Sequence, residues 1–286
     1  MNLTDINDIR ALLGRHGFRF SKSMGQNFLI ADWVPRDIAD AACLDKNCGV
    51  LEIGPGIGPL TVQLAARAGR VAAVELDRSL LPILEETLAG CGNTHVIPGD
   101  VMKLDLAALC AREFPGMTVR VCANLPYNIT TPVITKLLEA GLFASITVMI
   151  QREVALRICA APGSADYGAF SLFCQYHAEC QRLFDVPPEC FLPAPKVTSA
   201  VIRLTPRSTP PVDTPPDALF RVVKAAFAQR RKTLLNALSA AYGSRHSKDE
   251  LRQIIAGCGL PEDVRGERLG LEAFAALAEG LEPAGK

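Results

Sequence analysis

The chain has 286 residues, which is enough for one large domain and a smaller one, and its composition is typical of a globular protein. Its 30 basic and 30 acidic residues give no net charge, so the overall charge does not indicate a nucleic-acid-binding protein. No apolar run is long enough to span a membrane, and the acid-containing N-terminal residues do not resemble a secretory signal.

The ten cysteines are scattered along the chain without a C-x-x-C pair. This spacing argues against a zinc site and against a disulfide framework. Many of these cysteines lie in apolar segments, where the thiol behaves as a small hydrophobic group. We therefore expect reduced thiols, a cytoplasmic location and no bound metal.

From about residue 49 onward, short β-branched runs alternate with helical segments. This alternation predicts a mainly parallel sheet that is covered by helices on both faces. The five strand candidates in this part are GVLEIG (49–54), RVAAVEL (70–76), THVIPG (94–99), VRVCAN (119–124) and SITVMIQ (145–151).

A glycine-rich turn follows the first of these strands, with glycine at positions 54, 56 and 58. Glycine lets the backbone approach a ligand closely, because no Cβ atom stands in the way. The dinucleotide fingerprint requires a further glycine where this chain has Pro59. The pattern therefore favours a ligand with an amino acid or a sugar in its middle part over a diphosphate. A tight turn without a ligand is the alternative.

Acidic residues follow the next two strands. Glu75 ends the second strand, at a position where a carboxylate can accept hydrogen bonds from ribose hydroxyls. Asp100 follows the third strand and could accept from an adenine amino group. Each acid taken alone could equally be a helix cap or a loop residue. Together they favour a ligand site, because open α/β sheets bind ligands at the carboxyl edge of their strands.

The fourth strand ends at Asn124, which Leu125, Pro126 and Tyr127 follow. The Asn124 carboxamide oxygen and the Leu125 carbonyl, held by Pro126, can accept both N–H bonds of an exocyclic amine, and Tyr127 can stack on the ring. The lone pair of an adenine amine is delocalised into the ring, and fixing both hydrogens frees it for attack. An Asx-Pro turn with a core tyrosine is the alternative.

Two further strand candidates, 178–186 and 197–206, have no helix between them, so we expect them to form an antiparallel end of the sheet. The stretch 205–216 is rich in Pro, Ser and Thr, which predicts a linker. Apolar residues recur at helical spacing beyond it. The prediction is an α/β catalytic domain over 1–206 and a small α-helical domain over 207–286.

The motifs in this order resemble S-adenosylmethionine-dependent adenine-N6 methyltransferases. SKSMGQNFLI (21–30), FLPAPKVTS (191–199) and AFAQRRKTLLNAL (226–238) narrow the resemblance to the ribosomal RNA adenine dimethyltransferase family, and within it to the bacterial small-subunit branch. The resemblance implies a Rossmann-like sheet and a monomer that uses S-adenosylmethionine without a metal. It further implies dimethylation of two adjacent adenosines in a hairpin loop near the 3′ end of 16S rRNA, within the immature 30S subunit.

The same resemblance assigns roles to individual residues. The expected cofactor contacts are Asn27, Leu29, Gly54, Gly56, Glu75, Asp100 and Asn124. The expected catalytic residues, which orient and hold the target base, are Asn124, Leu125, Pro126, Tyr127 and Phe191. Phe191 is expected to face Tyr127 across a base flipped out of its stack.

The stretch 219–235 holds five basic residues and no acid, and 10–22 also carries basic residues without an acid. A solvated helix face is the alternative interpretation of such runs. Because two runs flank a predicted catalytic domain, we expect a polyanion, and the RRKTL motif matches the family. The predicted RNA-backbone contacts are Arg221, Lys224, Arg230, Arg231 and Lys232.

Three other functions share some of these features. A large-subunit (23S) rRNA adenine dimethyltransferase of the antibiotic-resistance kind shares the cofactor motifs and N-L-P-Y, but GQNFL, RRKTLLNAL and the chain length favour the small-subunit enzyme. A non-catalytic RNA- or DNA-binding assembly factor is disfavoured by the intact N-L-P-Y and glycine turn. A nicotinamide-dependent dehydrogenase is disfavoured by Pro59 and by the isolated positions of the four histidines.

Overall fold

The computed structural model describes residues 1–20, 25–229 and 231–281, and it divides the chain into two compact units. The first unit consists of Met1–Ala155 and Glu179–Pro206, and the second of Leu156–Ala178 and the described residues from Arg207 onward. The strands are β1 (Phe28–Leu29), β2 (Cys48–Ile53), β3 (Arg70–Glu75), β4 (Thr94–Pro98), β5 (Thr118–Asn124), β6 (Ile146–Gln151), β7 (Ala178–Val186), β8 (Phe191–Leu192) and β9 (Ser199–Pro206). The α-helices are α1 (Ile6–Arg15), α2 (Trp33–Ala41), α3 (Pro59–Arg67), α4 (Leu81–Thr87), α5 (Leu106–Glu113), α6 (Thr130–Ala140), α7 (Arg152–Ile158), α8 (Ala169–His177), α9 (Pro216–Ala228), α10 (Leu234–Tyr242), α11 (Lys248–Gly257) and α12 (Leu271–Leu281).

Seven strands form the main sheet in the order β4-β3-β2-β5-β6-β9-β7. The first five run parallel, and β9 is antiparallel to β6. After β2 the chain adds β3 and β4 on one side and then returns to add β5 and β6 on the other. Such a reversal opens a crevice at the carboxyl ends of the strands. The predicted parallel strands are confirmed, as is the placing of the last two long strands at one end of the sheet.

Helices cover the sheet because its central strands are apolar on both faces. All six residues of β2 are buried, as a parallel strand between two helical layers requires. One layer joins α2 and α3 to the sheet through Val34, Ile38, Leu60, Leu64, Val50 and Met149. A further cluster joins α1 to α4 through Ile9, Leu12, Ile83 and Leu84, and Phe28 belongs to it. The core thus holds the strand ends of the first unit in fixed positions.

A two-stranded antiparallel ribbon, which the sequence did not predict, lies beside the sheet. It pairs β1 with β8, Phe28 opposite Leu192 and Leu29 opposite Phe191. The Ile30 backbone N–H also donates to the Cys190 carbonyl at 2.8 Å. The ribbon therefore ties the segment that contains GQNFL to the segment that contains FLPAPKV.

The second unit has its own core, which α9 to α12 and the segment Leu156–Ala178 build together. Tyr167 is fully buried in it, and its hydroxyl donates to the Leu269 carbonyl at 2.9 Å. The predicted boundary assigned all of 1–206 to one domain, whereas here Leu156–Ala178 groups with the C-terminal helices. The reason is that Tyr167, Leu172 and Tyr176 supply large side chains to that core.

The Pro-rich stretch between β9 and α9 contains no helix or strand. Among the described residues, no helix combines the length and apolar character needed to cross a membrane. The same part of the chain contains no group of three His, Cys, Asp or Glu side chains placed to hold a metal ion.

Candidate active site

A pocket lies at the carboxyl edge of the sheet, within the first unit. Its walls are the segment 25–29, the turn after β2, the end of β3, the loop after β4 and the N-L-P-Y segment after β5. All of the predicted cofactor residues line it, as do Leu125, Pro126 and Tyr127. The structure therefore brings together every predicted site residue of this unit except Phe191.

The glycine turn presents its backbone to the pocket. Gly54 and Gly56 have positive φ angles of 70° and 62°, a conformation that costs other L-residues about 1–2 kcal/mol. A Cβ atom on Gly56 would lie 3.4 Å from two ring carbons of Phe28. The Gly54 N–H donates to the Val74 carbonyl at 2.9 Å, which fixes the turn against β3. This part of the pocket is thus shaped by the absence of side chains.

Glu75 ends β3 with a carboxylate that is 6% exposed. It accepts hydrogen bonds from the backbone N–H groups of Asp77 at 2.7 Å and Gly56 at 3.4 Å. Burial raises the pKa of Glu75 to about 6, and these backbone donors act in the opposite direction. The group is therefore mostly ionised at neutral pH and can accept hydroxyl donors from a ligand.

Asp100 combines two of the functions that its sequence position allowed. It lines the pocket, and its Oδ1 accepts from the Met102 backbone N–H at 2.9 Å, which stabilises the loop after β4. Lys103 lies 3.8 Å from the other carboxylate oxygen.

Glu52 is a feature of the pocket to which sequence reasoning gave no role. It lies in β2, is 1% exposed and lines the pocket, and its Oε2 has no hydrogen-bond partner among the described residues. Burial, and to a smaller degree the nearby Glu75 carboxylate, raises the pKa of Glu52 to about 8. The Glu52 carboxyl is therefore neutral at pH 7, and its free oxygen can form a hydrogen bond with a polar ligand.

The N-L-P-Y segment continues β5 past the edge of the sheet. Asn124 is the last residue of the strand, and its carboxamide forms no hydrogen bond within the described part of the chain. The Leu125 N–H donates to the Met149 carbonyl at 3.1 Å, and the Leu125 side chain is buried. The Pro126 carbonyl accepts from the Ile129 N–H, which begins the next helical turn. The backbone around Asn124 is thus fixed, while its side-chain carboxamide remains available to hydrogen-bond a ligand in the pocket.

The segment before β1 closes another wall of the pocket. Asn27 donates to the Gly25 carbonyl at 3.1 Å, and Leu29 is buried within β1. The Gln26 side chain donates to Asp77 at 2.6 Å and so ties this segment to the end of β3. Sequence reasoning missed this contact, although an acid two residues beyond Glu75 was visible. Residues 21–24 of the SKSMGQNFLI motif lie outside the described residues.

Phe191 does not line the pocket. Its ring is 2% exposed and packs in the hydrophobic cluster with Leu29, Val201 and Cys190. The expected position facing Tyr127 is therefore not what this structure shows. A stacking role for Phe191 stays a prediction that requires the ring to leave this cluster.

The predicted RNA-binding side chains belong to the second unit. Arg221 and Lys224 are exposed and lie three positions apart on α9, hence on one face of the helix. Arg231 and Lys232 are exposed in the connection to α10, and Arg230 lies outside the described residues. Leu234, Leu235 and Leu238 of the same motif are buried, so they serve the helix core.

Solved structures with a similar fold were found over most of the chain. A dimethyladenosine transferase from Plasmodium falciparum superposes with a TM-score of 0.75 and 25% identity, over 87% of this chain and 95% of that one. The 23S rRNA methyltransferase ErmE superposes with a TM-score of 0.68 and 26% identity, over 90% and 100% of the two chains. With the sheet order and the pocket, these likenesses define the fold as a Rossmann-like methyltransferase of the S-adenosylmethionine-dependent class.

Residues 17–258 match the family model described as "Ribosomal RNA adenine dimethylase". The chain is also 47% identical over 274 residues to "Ribosomal RNA small subunit methyltransferase A" of Alkaliphilus oremlandii (strain OhILAs), which covers 95% of both chains. It is 44% identical to the protein of the same name from Streptococcus gordonii, over the full length of both. The chain belongs to the ribosomal RNA adenine dimethylase family.

Proposed function

We propose that this protein transfers methyl groups from S-adenosylmethionine to N6 of two adjacent adenosines in the 3′-terminal hairpin loop of small-subunit (16S) rRNA, within the immature 30S subunit. The observation that carries the proposal is the Asn124 carboxamide, unpaired within the described residues and lying in a pocket with Glu75 and Tyr127. The name of relatives that are 44–47% identical supports the small subunit. The likeness to ErmE, at 26% identity, makes a large-subunit substrate the second candidate.

The donor groups of the pocket fit S-adenosylmethionine. Glu75 offers a buried carboxylate to ribose hydroxyls, and Asp100 offers an acceptor to the adenine amine. Leu76 lines the pocket and is 52% exposed, so it offers an apolar surface to a flat ring. The Glu52 Oε2, which has no partner among the described residues, is a further group with which a polar ligand atom can form a hydrogen bond. When bound, S-adenosylmethionine supplies a methyl group activated by its sulfonium.

The residues of N-L-P-Y then orient the adenosine. The Asn124 oxygen and the Leu125 carbonyl accept the two amine hydrogens, and Tyr127 stacks on the base. Orientation of this kind can lower a barrier by about 7–11 kcal/mol. Unstacking the target base costs a few kcal/mol, and the cost is smallest for a base that is already unpaired. A hairpin loop is a suitable substrate for this reason.

The second unit is proposed to bind the RNA backbone. Arg221, Lys224, Arg231 and Lys232 are exposed cations on the second unit, and in this proposal they contact RNA phosphates. A monomeric state and a cytoplasmic location complete the proposal. The relatives are named for the small ribosomal subunit. This name supports the cytoplasmic location, because bacterial ribosomes are in the cytoplasm.

The experiment that tests the proposed function replaces Asn124 by alanine. We expect Asn124→Ala to abolish transfer of labelled methyl groups to undermethylated small subunits, while binding of S-adenosylmethionine remains measurable. Asn47→Ala, in an exposed turn before β2, is the matched control and should leave the rate unchanged. The position of dimethyladenosine is mapped on the product, with isolated large subunits as the parallel substrate.

Wild-type transfer by Asn124→Ala would refute the assigned role. Labelling of the large subunit alone would identify the second candidate as the function.

A further inference from the structure

The hydroxyl groups of Tyr127 and Ser199 form a short hydrogen bond at the edge of the pocket. The two oxygen atoms are 2.6 Å apart. Tyr127 is half-buried and lines the pocket, whereas Ser199 is fully buried beneath it. Burial raises the pKa of Tyr127, although the bond from Ser199 acts in the opposite direction, so the phenol is protonated at neutral pH. The contact is therefore a bond between two neutral hydroxyls.

The direction of β9 explains how Ser199 reaches this place. Parallel strands bring their last residues to the carboxyl edge of the sheet, whereas an antiparallel strand brings its first residue there. Ser199 is the first residue of β9, and it lies opposite Gln151, the last residue of β6. The reversed strand thus delivers a hydroxyl to the edge where Asn124 ends β5.

A tyrosine held at both ends has little freedom. Its Cβ, Cγ, Cζ and Oη atoms lie on one line, so fixing the backbone and Oη selects a single χ1 rotamer. Only rotation about that line remains, and this rotation leaves the ring axis where it was. The backbone of Tyr127 is held in the helical turn Tyr127–Ile129 that precedes α6. Ser199 completes the restraint at the other end.

We infer that Ser199 is a positioning residue for the transfer reaction: its hydroxyl holds the Tyr127 ring in the position against which the target base stacks. The inference rests on the proposed function. A ring ordered before the base arrives spares the complex the entropy of ordering it later. Loss of the hydroxyl should therefore lower the fraction of bound RNA in which the base is correctly placed.

The test uses Ser199→Ala, Tyr127→Phe and the double variant in the full-length protein. We expect each single variant to lower kcat for undermethylated small subunits three- to tenfold. KM for the subunit and the affinity for S-adenosylmethionine should be unchanged, because each single variant keeps an aromatic ring at position 127 and alters none of the proposed phosphate or cofactor contacts. The double variant should be no slower than the single ones, since either change removes the same bond.

Thr147→Val is the matched control. It removes another buried hydroxyl, from β6, and the Thr147 Oγ1 has no hydrogen-bond partner among the described residues. We expect it to leave kcat unchanged. Thermal unfolding of every variant shows whether it folds.

Wild-type kcat in Ser199→Ala would overturn the inference, and so would a double variant whose loss is the product of the single losses. If Ser199→Ala shows no cooperative unfolding and is therefore not folded, Tyr127→Phe becomes the test variant. A wild-type kcat in Tyr127→Phe would then overturn the inference. If the wild-type protein methylates neither subunit, the proposed function is wrong and the inference fails with it. If the wild-type protein methylates the small subunit and Ser199→Ala is equally active, the inference is refuted and the proposed function stands.

Discussion

Glu113, at the end of α5, shows how a single buried charge is accommodated outside the pocket. Its side chain is 2% exposed. It is hydrogen-bonded to Arg112 at 2.7 Å, to His95 at 2.9 Å and to Arg70 at 3.0 Å. Burial alone would raise the pKa of Glu113, but these three partners lower it from 4.5 to about 2. The ionised form therefore stabilises the fold.

The pH dependence of this contribution follows from the direction of the shift. Because the folded pKa of about 2 lies below the ordinary 4.5, the contribution is complete above about pH 4.5 and is lost as the pH falls toward 2. We expect Glu113→Gln to lower the free energy of unfolding by about 1–3 kcal/mol at neutral pH. The difference from the wild type should shrink at acidic pH.

Urea unfolding at neutral pH and near pH 3.5 measures this difference. Glu85→Gln, an exposed residue of α4, is the control and should change little at either pH. A destabilisation by Glu113→Gln that stays constant between the two pH values would contradict the assigned cause.

The site residues that could be predicted are those set by local pattern. Glu75, Asp100 and Asn124 each stand at or just after the end of a strand, and strand ends can be read from the sequence. Ser199 could not be assigned in this way, because its partner Tyr127 is 72 positions away and the bond depends on the direction of β9. The burial of Phe191 was likewise invisible, since a motif does not show which way an aromatic ring packs.

At the scale of elements, adding a side chain to the glycine turn between β2 and α3 should reduce both cofactor affinity and stability. We expect Gly56→Ala to lower the affinity for S-adenosylmethionine at least tenfold. The substituted residue must adopt a positive φ, and its Cβ crowds the Phe28 ring. The backbone strain should reduce the free energy of unfolding by about 1–2 kcal/mol.

Calorimetric titration with the cofactor and urea unfolding provide the two measurements. Gly90→Ala is the control, because Gly90 lies in a turn where an added Cβ meets nothing within 4 Å. Unchanged cofactor affinity in Gly56→Ala would show that the turn is not part of the binding site.

Elements differed in how well the sequence predicted them. The long strands were predicted to within one or two residues, because the parallel strands and β9 contain runs of apolar or β-branched residues, whereas β7 mixes apolar and polar residues. The ribbon of β1 and β8 was missed, since strands of two residues have no periodicity. The amphipathic pattern of α8 predicts a buried face, but it does not say which of two cores receives that face.

At the scale of the whole molecule, charge is distributed unevenly. The totals cancel at 30 basic and 30 acidic residues, yet the stretch 219–235 has no acid. We expect the double charge reversal Arg231→Glu and Lys232→Glu to weaken RNA binding. The slope of log K against log salt concentration should become shallower by about one for each RNA phosphate that the variant no longer neutralises.

Binding of small-subunit RNA is measured over a series of salt concentrations for this prediction. Lys248→Glu, an exposed residue at the start of α11, is the control and should leave the salt slope unchanged. A double reversal that preserves the slope would remove these residues from the RNA interface.

The ribbon of β1 and β8 has a consequence for the stability of the pocket wall. Each strand has only two residues and depends on the other for its backbone hydrogen bonds. Leu29 lies both in this ribbon and on the pocket wall, so a ligand that packs on it orders two segments that are remote in sequence. By mass action, a bound ligand should therefore make fraying of the ribbon rarer than it is in the free protein.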